Sequence, residues 1–226
     1  SPELISEFTV ALEECAQNAN VVVIEGLPEV FCFGADFQQI SSAVATGETR
    51  SYDAGPLFDL WQQLAAGPFV SVAHVRGKVN AGGVGFVSAC DVVIADETAQ
   101  FGLSELLFGV YPACVLPFLI RRVGFQKANY MTLMTQPVSV QQAHAWGLVD
   151  AFEPSSETLL RKHLLRLRRL SKVAIRRYKE YLQSFQGDLA VIRPRAIAGN
   201  LEVFSDPANL AGIVRYAERG IFPWEN

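Results

Sequence analysis

Three short runs, VVVIEG (residues 21–26), FVSVAHV (69–75) and DVVIAD (91–96), are apolar at nearly every position rather than at every second one. A strand of that kind must be covered on both faces, which is the situation inside a parallel sheet. Parallel neighbours cannot be joined by a hairpin and need a crossover, usually a helix. The intervening segments supply one. Residues 2–19 carry Leu4, Phe8, Ala11, Leu12 and Cys15 on one stripe, and residues 57–66 and 82–89 read as further helices. Strand and helix alternate, so the fold class is α/β. Residues 40–53, with their Ser, Gly and Thr, read as a mobile loop.

Beyond about Leu107 the pattern turns helical: residues 112–123, 126–134, 140–146 and everything from Ser155. Ser139 and Gln142 have capping-box spacing, and Gly147 suits a helix stop. Asp206 followed by Pro207 is an N-cap with a first-turn proline. The expected organisation is an α/β core over residues 1–150 and a helical region over 151–226. Ser1 and Pro2 already read as a helix start, an unusual beginning for an α/β chain. Further residues are therefore expected before Ser1 or in the loops.

At 226 residues, half of them hydrophobic, the chain can bury a sizeable core. A net charge of −4 argues against a general nucleic-acid binder. No apolar run approaches the ~20 residues that span a membrane. Four cysteines without paired spacing point to reduced thiols in a cytoplasmic chain and to no metal site. The basic run RKHLLRLRRLSKVAIRR (161–177) reads as a solvated helix face with an apolar stripe behind it. With Arg121 and Arg122, it is also a candidate surface for an acidic carrier protein or an anionic cofactor.

Two glycine-containing turns, FCFGADF (31–37) and NAGGVGF (80–86), carry the chemistry. Gly82 opens a helix, whose first N–H groups have no partner within the helix and lie at its positive end. The turn around Gly34 offers a second donor at Ala35. Two such donors on one thioester carbonyl would stabilise an enolate, each worth about 3 kcal/mol of barrier. No GK[ST] follows the glycines, and no G-x-G-x-x-G follows the first strand, which disfavours nucleotide sites.

In this order and context, the stretches VVVIEG…FCFGADF, VAHVRGKVNAGGVGFVSACDVVIADETAQFGLSELLFGVYP and GFQKANYMTLMTQPVSVQQAHAWGLVDAF resemble the enoyl-CoA hydratase (crotonase) superfamily. The resemblance runs from Val21 to about Phe152 and more loosely to the end. It implies a spiral of ββα turns, a C-terminal helical region that builds a homotrimer or hexamer, and an acyl thioester substrate. It places the two oxyanion donors on Ala35 and Gly82. Of the two glutamates that the family's hydratases use, the first falls on Gly85 and is absent; the second falls on Glu105.

The segments RGKVNAGGVGF, LSELLFGVYPACVLPFLIRR and GFQKANYMTL resemble one subgroup, the dehydratases of polyketide β-branching. That resemblance implies dehydration of a 3-hydroxy-3-methylglutaryl thioester to the 3-methylglutaconyl thioester. The substrate would ride on the phosphopantetheine of an acyl carrier protein or on coenzyme A, with no cofactor and no metal. Glu105 would act as base and then acid, its pKa raised by burial among Phe101, Leu103, Leu106 and Phe108. Lys78 and Asn80 would meet the distal carboxylate, with Gly83, Tyr111 and Cys114 along the pocket wall. His74, Trp146 and Trp224 read as structural. A decarboxylase of the same cassette, a catabolic CoA-dependent hydratase or isomerase, and a non-catalytic carrier-binding scaffold stay as alternatives.

Overall fold

The computed structural model describes residues 1–46, 53–185 and 188–225. Helix α1 (Pro2–Asn18), capped by the Ser1 side chain, leads into three winding turns. The first holds β1 (Val21–Glu25), β2 (Val30–Cys32), α2 (Phe37–Ala45) and α3 (Gly55–Ala66). The second holds β3 (Val70–Val75), β4 (Lys78–Asn80) and α4 (Gly82–Ala89). The third holds β5 (Val92–Ala95), β6 (Gln100–Gly102), a 3₁₀ turn at Glu105–Phe108 and α5 (Leu116–Met134). After them come β7 (Val138–Ser139), α6 (Val140–Ala145), β8 (Ala151–Phe152) and the helices α7 (Ser156–Leu167), α8 (Lys172–Gln183), α9 (Leu189–Ser205) and α10 (Pro207–Arg219).

Each turn gives its first strand to one sheet and its second strand to another. The first sheet runs β1-β3-β5-β8, all parallel; the second runs β2-β4-β6-β7, parallel except at β7. This is the expected ββα spiral. The apolar runs occupy the first sheet, and β3, at its centre, is buried at every position. β1 is only half-buried because it lies at the edge. Along β3, Val70 and Val72 face Ile94, Leu159 and Ile175 on one side. Ala73 and Val75 face the main core on the other, with Phe58, Trp61, Val84 and Phe118. The alternation follows from the two-residue period of a strand.

Two expectations need correction. Residues 40–45 are helical and not a loop. Asp36 caps α2 by accepting from Gln38 N (2.9 Å) and Gln39 N (3.3 Å), and Ile40, Ser41 and Ala43 are buried. The apolar i, i+3 spacing of Phe37, Ile40 and Ala43 prevails over the serine content. Residues 47–52 of the same stretch lie outside the described residues. The helix expected at 112 begins at Leu116, after a turn at 113–115. The break expected between 123 and 126 is present as non-helical backbone at Gly124. The Ser139–Gln142 capping box and the Asp206 cap form as expected, and Gly147 lies at positive φ after α6.

Helices α7 and α8 cover the outer face of the first sheet, the side turned away from α4. Their basic run is exposed at Arg161, Arg166, Arg168, Arg169, Arg176 and Arg177, with Leu159 and Ile175 buried behind it. Arg122 is spent on structure: its guanidinium donates to the carbonyls of Cys90 and Leu148 and pairs with Asp150. Among the described residues, no helix is long and apolar enough to cross a membrane.

A charged side chain also latches α8 to the core. Lys179 is 5% exposed, and its Nζ donates to Asp91 Oδ2 (2.7 Å), Phe69 O (3.0 Å) and Leu64 O (3.2 Å). Asp91 in turn accepts from Ser71 N and its hydroxyl. Removing one partner of such a pair strands the other. Lys179→Ala is expected to lower unfolding stability by about 3 kcal/mol in urea titrations. The loss is expected to be smaller when the change is made on an Asp91→Asn background, a coupling that a double-mutant cycle measures.

Candidate active site

The two glycine-containing turns meet. Gly34 has φ 86° and stands against the turn that opens α4: a β-carbon on it would lie 2.7 Å from Ala81 Cβ and 3.0 Å from Gly82 N. Only glycine permits both that φ and that approach. On the other side, Ala81 is itself unusual. As the N-cap of α4 it has φ 51° and ψ −121°, a conformation that costs a non-glycine residue about 1–3 kcal/mol. It is held by Ala81 N donating to Gly102 O (3.0 Å) and Ala81 O accepting from Val84 N (2.9 Å). This rotation leaves the Gly82 N–H at the free end of the helix. Among the described residues, neither it nor the Ala35 N–H donates to a protein acceptor. Ala35 directly precedes the N-cap of α2, so the positive ends of two helices come together here.

Glu105 opens the 3₁₀ turn that follows β6. The ladder pairs Asn80 with Gly102, three residues before Glu105, and Asn80 Nδ2 donates to Ser104 Oγ (2.9 Å). A second tie runs through aromatic rings. Phe37, two residues after Ala35, meets Phe108, three after Glu105, edge-on with centroids 5.0 Å apart. Phe108 also packs on Tyr216 at 5.1 Å and on Phe222 at 5.9 Å, in a small core with Ile40, Val110, Val203 and Ile213. Ala35, Gly82 and Glu105 are thus fastened pairwise: backbone to backbone, side chain to side chain, ring to ring.

Of the neighbours expected to bury Glu105, Phe101, Leu103 and Phe108 are themselves buried, whereas Leu106 is exposed. Glu105 Oε2 is shielded from solvent and has no hydrogen-bond partner among the described residues. Burial pushes its pKa up to about 7, and backbone donors at Glu105 and Ser104 only partly offset this. A carboxyl poised there can take a proton and return it near neutral pH.

The remaining expected site residues are distributed as follows. Lys78 is exposed and shares a face of β4 with half-buried Asn80, whose amide is engaged by Ser104. Gly83 is a packing glycine: a β-carbon would lie 2.4 Å from Cys32 O. Tyr111 reaches toward α9, its hydroxyl donating to Glu202 Oε2 at 3.4 Å, and burial raises its pKa. Cys114 is buried, its thiol points at Ala196 O (3.5 Å), and burial pushes its pKa up to about 11. It is therefore protonated and no nucleophile at neutral pH. His74 is a satisfied strand histidine between Glu25 and Ser156 Oγ. Trp146 packs on Tyr130, and Trp224 stacks on Phe222. Among the described residues, no group of three or more His, Cys, Asp or Glu could hold a metal ion. A cavity of about 190 Å³ lies at the opposite end of α4, lined by Ser88, Asp91, Arg121 and Lys179, and contains none of the expected site residues.

One participant escaped the sequence reading. Trp61 on α3 packs directly on Gly85: a β-carbon there would lie 2.4 Å from Trp61 Cζ2. The space in which a side chain at position 85 would start is filled by the indole. A lone tryptophan on a buried helical stripe gives no sequence signal of that contact.

The enoyl-CoA hydratase/isomerase family matches residues 1–226, and the chain belongs to it. The bacillaene synthase dehydratase of Bacillus subtilis (strain 168) is 58% identical over 224 residues, 99% of this chain and 86% of its own length. A crystal structure of the polyketide biosynthesis enoyl-CoA hydratase from Bacillus subtilis superimposes with a TM-score of 0.96 at 57% identity, covering 99% of this chain and 89% of that one. A mevalonyl-coenzyme A hydratase of Aspergillus fumigatus is 37% identical over 131 residues, 58% of this chain and 48% of its own. The chain is an enzyme of the hydro-lyase kind.

The buried carboxyl has a measurable consequence for stability. Because its pKa in the folded chain is raised, the folded state holds this proton more tightly than the unfolded state does. The associated stability is complete below the ordinary value of 4.5 and is lost as pH rises to about 7. Glu105→Gln is therefore expected to raise Tm at about pH 8, by ~2–4 °C per kcal/mol recovered, and to leave it unchanged at about pH 4. Calorimetry at the two pH values checks this.

Proposed function

We propose that the chain dehydrates a 3-hydroxy-3-methylglutaryl thioester to the 3-methylglutaconyl thioester in polyketide β-branching. The observation that carries this reading is one shielded carboxyl, pKa about 7, tied to two unpaired backbone donors. The thioester oxygen would accept from Ala35 N and Gly82 N, which strengthens as negative charge grows on it. Glu105 takes the α-proton, and the enolate forms. The C–O bond at the β-carbon then breaks as Glu105 returns the proton to the departing oxygen. Water leaves, a C=C bond remains, and Glu105 is again a carboxylate. One group serves both transfers, so Gly85 in place of a second carboxylate is no obstacle.

A tertiary β-oxygen departs more readily than a secondary one. It fits that one relative is named for mevalonyl-coenzyme A, whose acyl group also carries a 3-hydroxy-3-methyl centre. The identity with a bacillaene synthase dehydratase supports the polyketide setting and an acyl carrier protein as the thioester's bearer. Lys78 and Asn80, on one face of β4, are the side chains proposed to meet the distal carboxylate. Homotrimer or hexamer assembly belongs to the same reading. The exposed Phe125, Tyr130, Leu133 and Met134 on α5 are the apolar surface that assembly would cover.

Mass spectrometry of the thioester after incubation with enzyme tests the reaction. Loss of one water is the expected result; loss of carbon dioxide identifies a decarboxylase, and an unchanged mass a scaffold. Glu105→Gln is expected to cut kcat by about a hundred- to ten-thousand-fold. For the wild type, kcat/KM is expected to rise with pH through about 7 and then stay level, because no separate acid must remain protonated. A bell-shaped profile would contradict a single Glu acting in both roles. For the carrier, kcat/KM is expected to be higher with the carrier-protein thioester than with the coenzyme A thioester. That advantage should shrink as salt is raised; equal values at every ionic strength would remove the carrier from the account.

A further inference from the structure

The indole of Trp61 is 1% exposed, yet its Nε1 has no hydrogen-bond partner among the described residues. Buried indole N–H groups normally find an acceptor, because leaving one without costs about 1–3 kcal/mol. The direction of this one can be read from its neighbours. The ring edge that carries Cε2, Cζ2 and Cη2 lies over Gly85, within 2.4–2.7 Å of where its β-carbon would be. Cζ2 is also 3.8 Å from the corresponding point on Gly82. Nε1 is bonded to Cε2 and belongs to that same edge. Nε1 thus sits beside Gly85, with Cζ2 the ring atom nearest Gly82. Phe86 and Phe118 hold the ring from other sides, both edge-on with centroids at 5.7 Å.

Distance along the helix sets what this donor can reach. Gly82 and Gly85 are three residues apart, a rise of about 4.5 Å. An acyl group whose carbonyl oxygen sits on Gly82 N extends its β-carbon substituents over that interval. Resting on the dehydration reading above, we propose that Trp61 Nε1–H donates to the oxygen on the substrate's β-carbon, the one that leaves as water. The bond holds this oxygen away from the aromatic wall and keeps it oriented for proton return from Glu105. No charge is introduced beside Glu105, whose raised pKa depends on a dry, uncharged setting. Trp61 is thus a substrate-contacting residue as well as a core side chain, and the glycine at position 85 is what lets the ring sit there.

The chain has three tryptophans, so indole ¹⁵N–¹H spectra contain three side-chain signals, and a Trp61→Phe sample assigns the one of interest. In Glu105→Gln protein, which binds without turnover, 3-hydroxy-3-methylglutaryl-pantetheine is expected to move the Trp61 N–H proton downfield. The analogue 3-methylglutaryl-pantetheine, lacking the β-hydroxyl, should leave it in place while still shifting the Ala35 and Gly82 amides. In turnover, Trp61→Phe is expected to lower kcat by a factor of about ten, the worth of one hydrogen bond, with the rise of kcat/KM through about pH 7 retained. An unmoved Trp61 signal at saturating hydroxy ligand, or identical shifts with both ligands, overturns the proposal. So does a Trp61→Phe enzyme with undiminished kcat. If the wild type releases no water but the hydroxy ligand still moves the signal, dehydration fails and the Trp61 contact stands.

Discussion

Everything in the site depends on the close backbone approach between Gly34 and the Ala81–Gly82 peptide. The two turns belong to different windings of the spiral, 47 residues apart, and their order in space comes from the second sheet. β2 pairs with β4 and β4 with β6, so the segments that follow these strands emerge side by side. The three ends are the Ala35 turn, the Gly82 turn and the Glu105 turn. A parallel ladder of three short strands thus does for the site what a hairpin cannot: it brings successive exits to the same edge. The strained Ala81 conformation is tolerable because the ladder, the Gly102 carbonyl and the helix behind it all hold it.

Glu105 shows the complementary cost. A carboxyl whose pKa has been moved to about 7 by desolvation is less stable when ionised than one in water. Its surroundings could have relieved this with a cation or further donors, yet Oε2 is left alone. Around it the structure is instead stiffened without charge. The ring cluster of Phe37, Phe108, Tyr216 and Phe222 fixes the 3₁₀ turn through packing, with each aromatic pair worth about 0.5–1.5 kcal/mol. The stability missing at the carboxyl is thereby offset beside it by contacts that leave its basicity untouched.

Three strands of the first sheet, β1, β3 and β5, were legible because continuous apolar runs admit few other readings, whereas the two-residue β8 was not. Gly82–Ala89 was also legible, since a strand, a glycine pair and an apolar segment define a helix start. The second sheet was not. β2, β4 and β6 have three residues each, too few for any period to show. Their existence came from family resemblance rather than from residue pattern. Helix α2 was hidden by its serines, although Asp36 and the Phe37–Ile40–Ala43 spacing did mark it. Of the candidate site, Ala35 and Gly82 were read from the two glycine turns and Glu105 from the family resemblance. Lys179, which bridges α8 to Asp91, and Trp61 were not, because each acts on a partner that is remote in sequence.

Gly85 and Trp61 make one structural choice seen from two sides. A carboxylate at position 85 would need the room that the indole fills, and the indole would be displaced by any side chain there. Where the resemblance to the family's two-glutamate hydratases puts a carboxylate, this chain has Gly85 under the neutral, rigid indole of Trp61. Two carboxylates near one another repel, and the pKa values of both then depend on the shared charge. For Glu105 the raised pKa comes chiefly from burial, partly offset by backbone donors at Glu105 and Ser104, with no charged neighbour among its causes. On the dehydration reading proposed above, that is the condition under which Glu105 would alternate between base and acid near neutral pH with no second carboxylate at position 85.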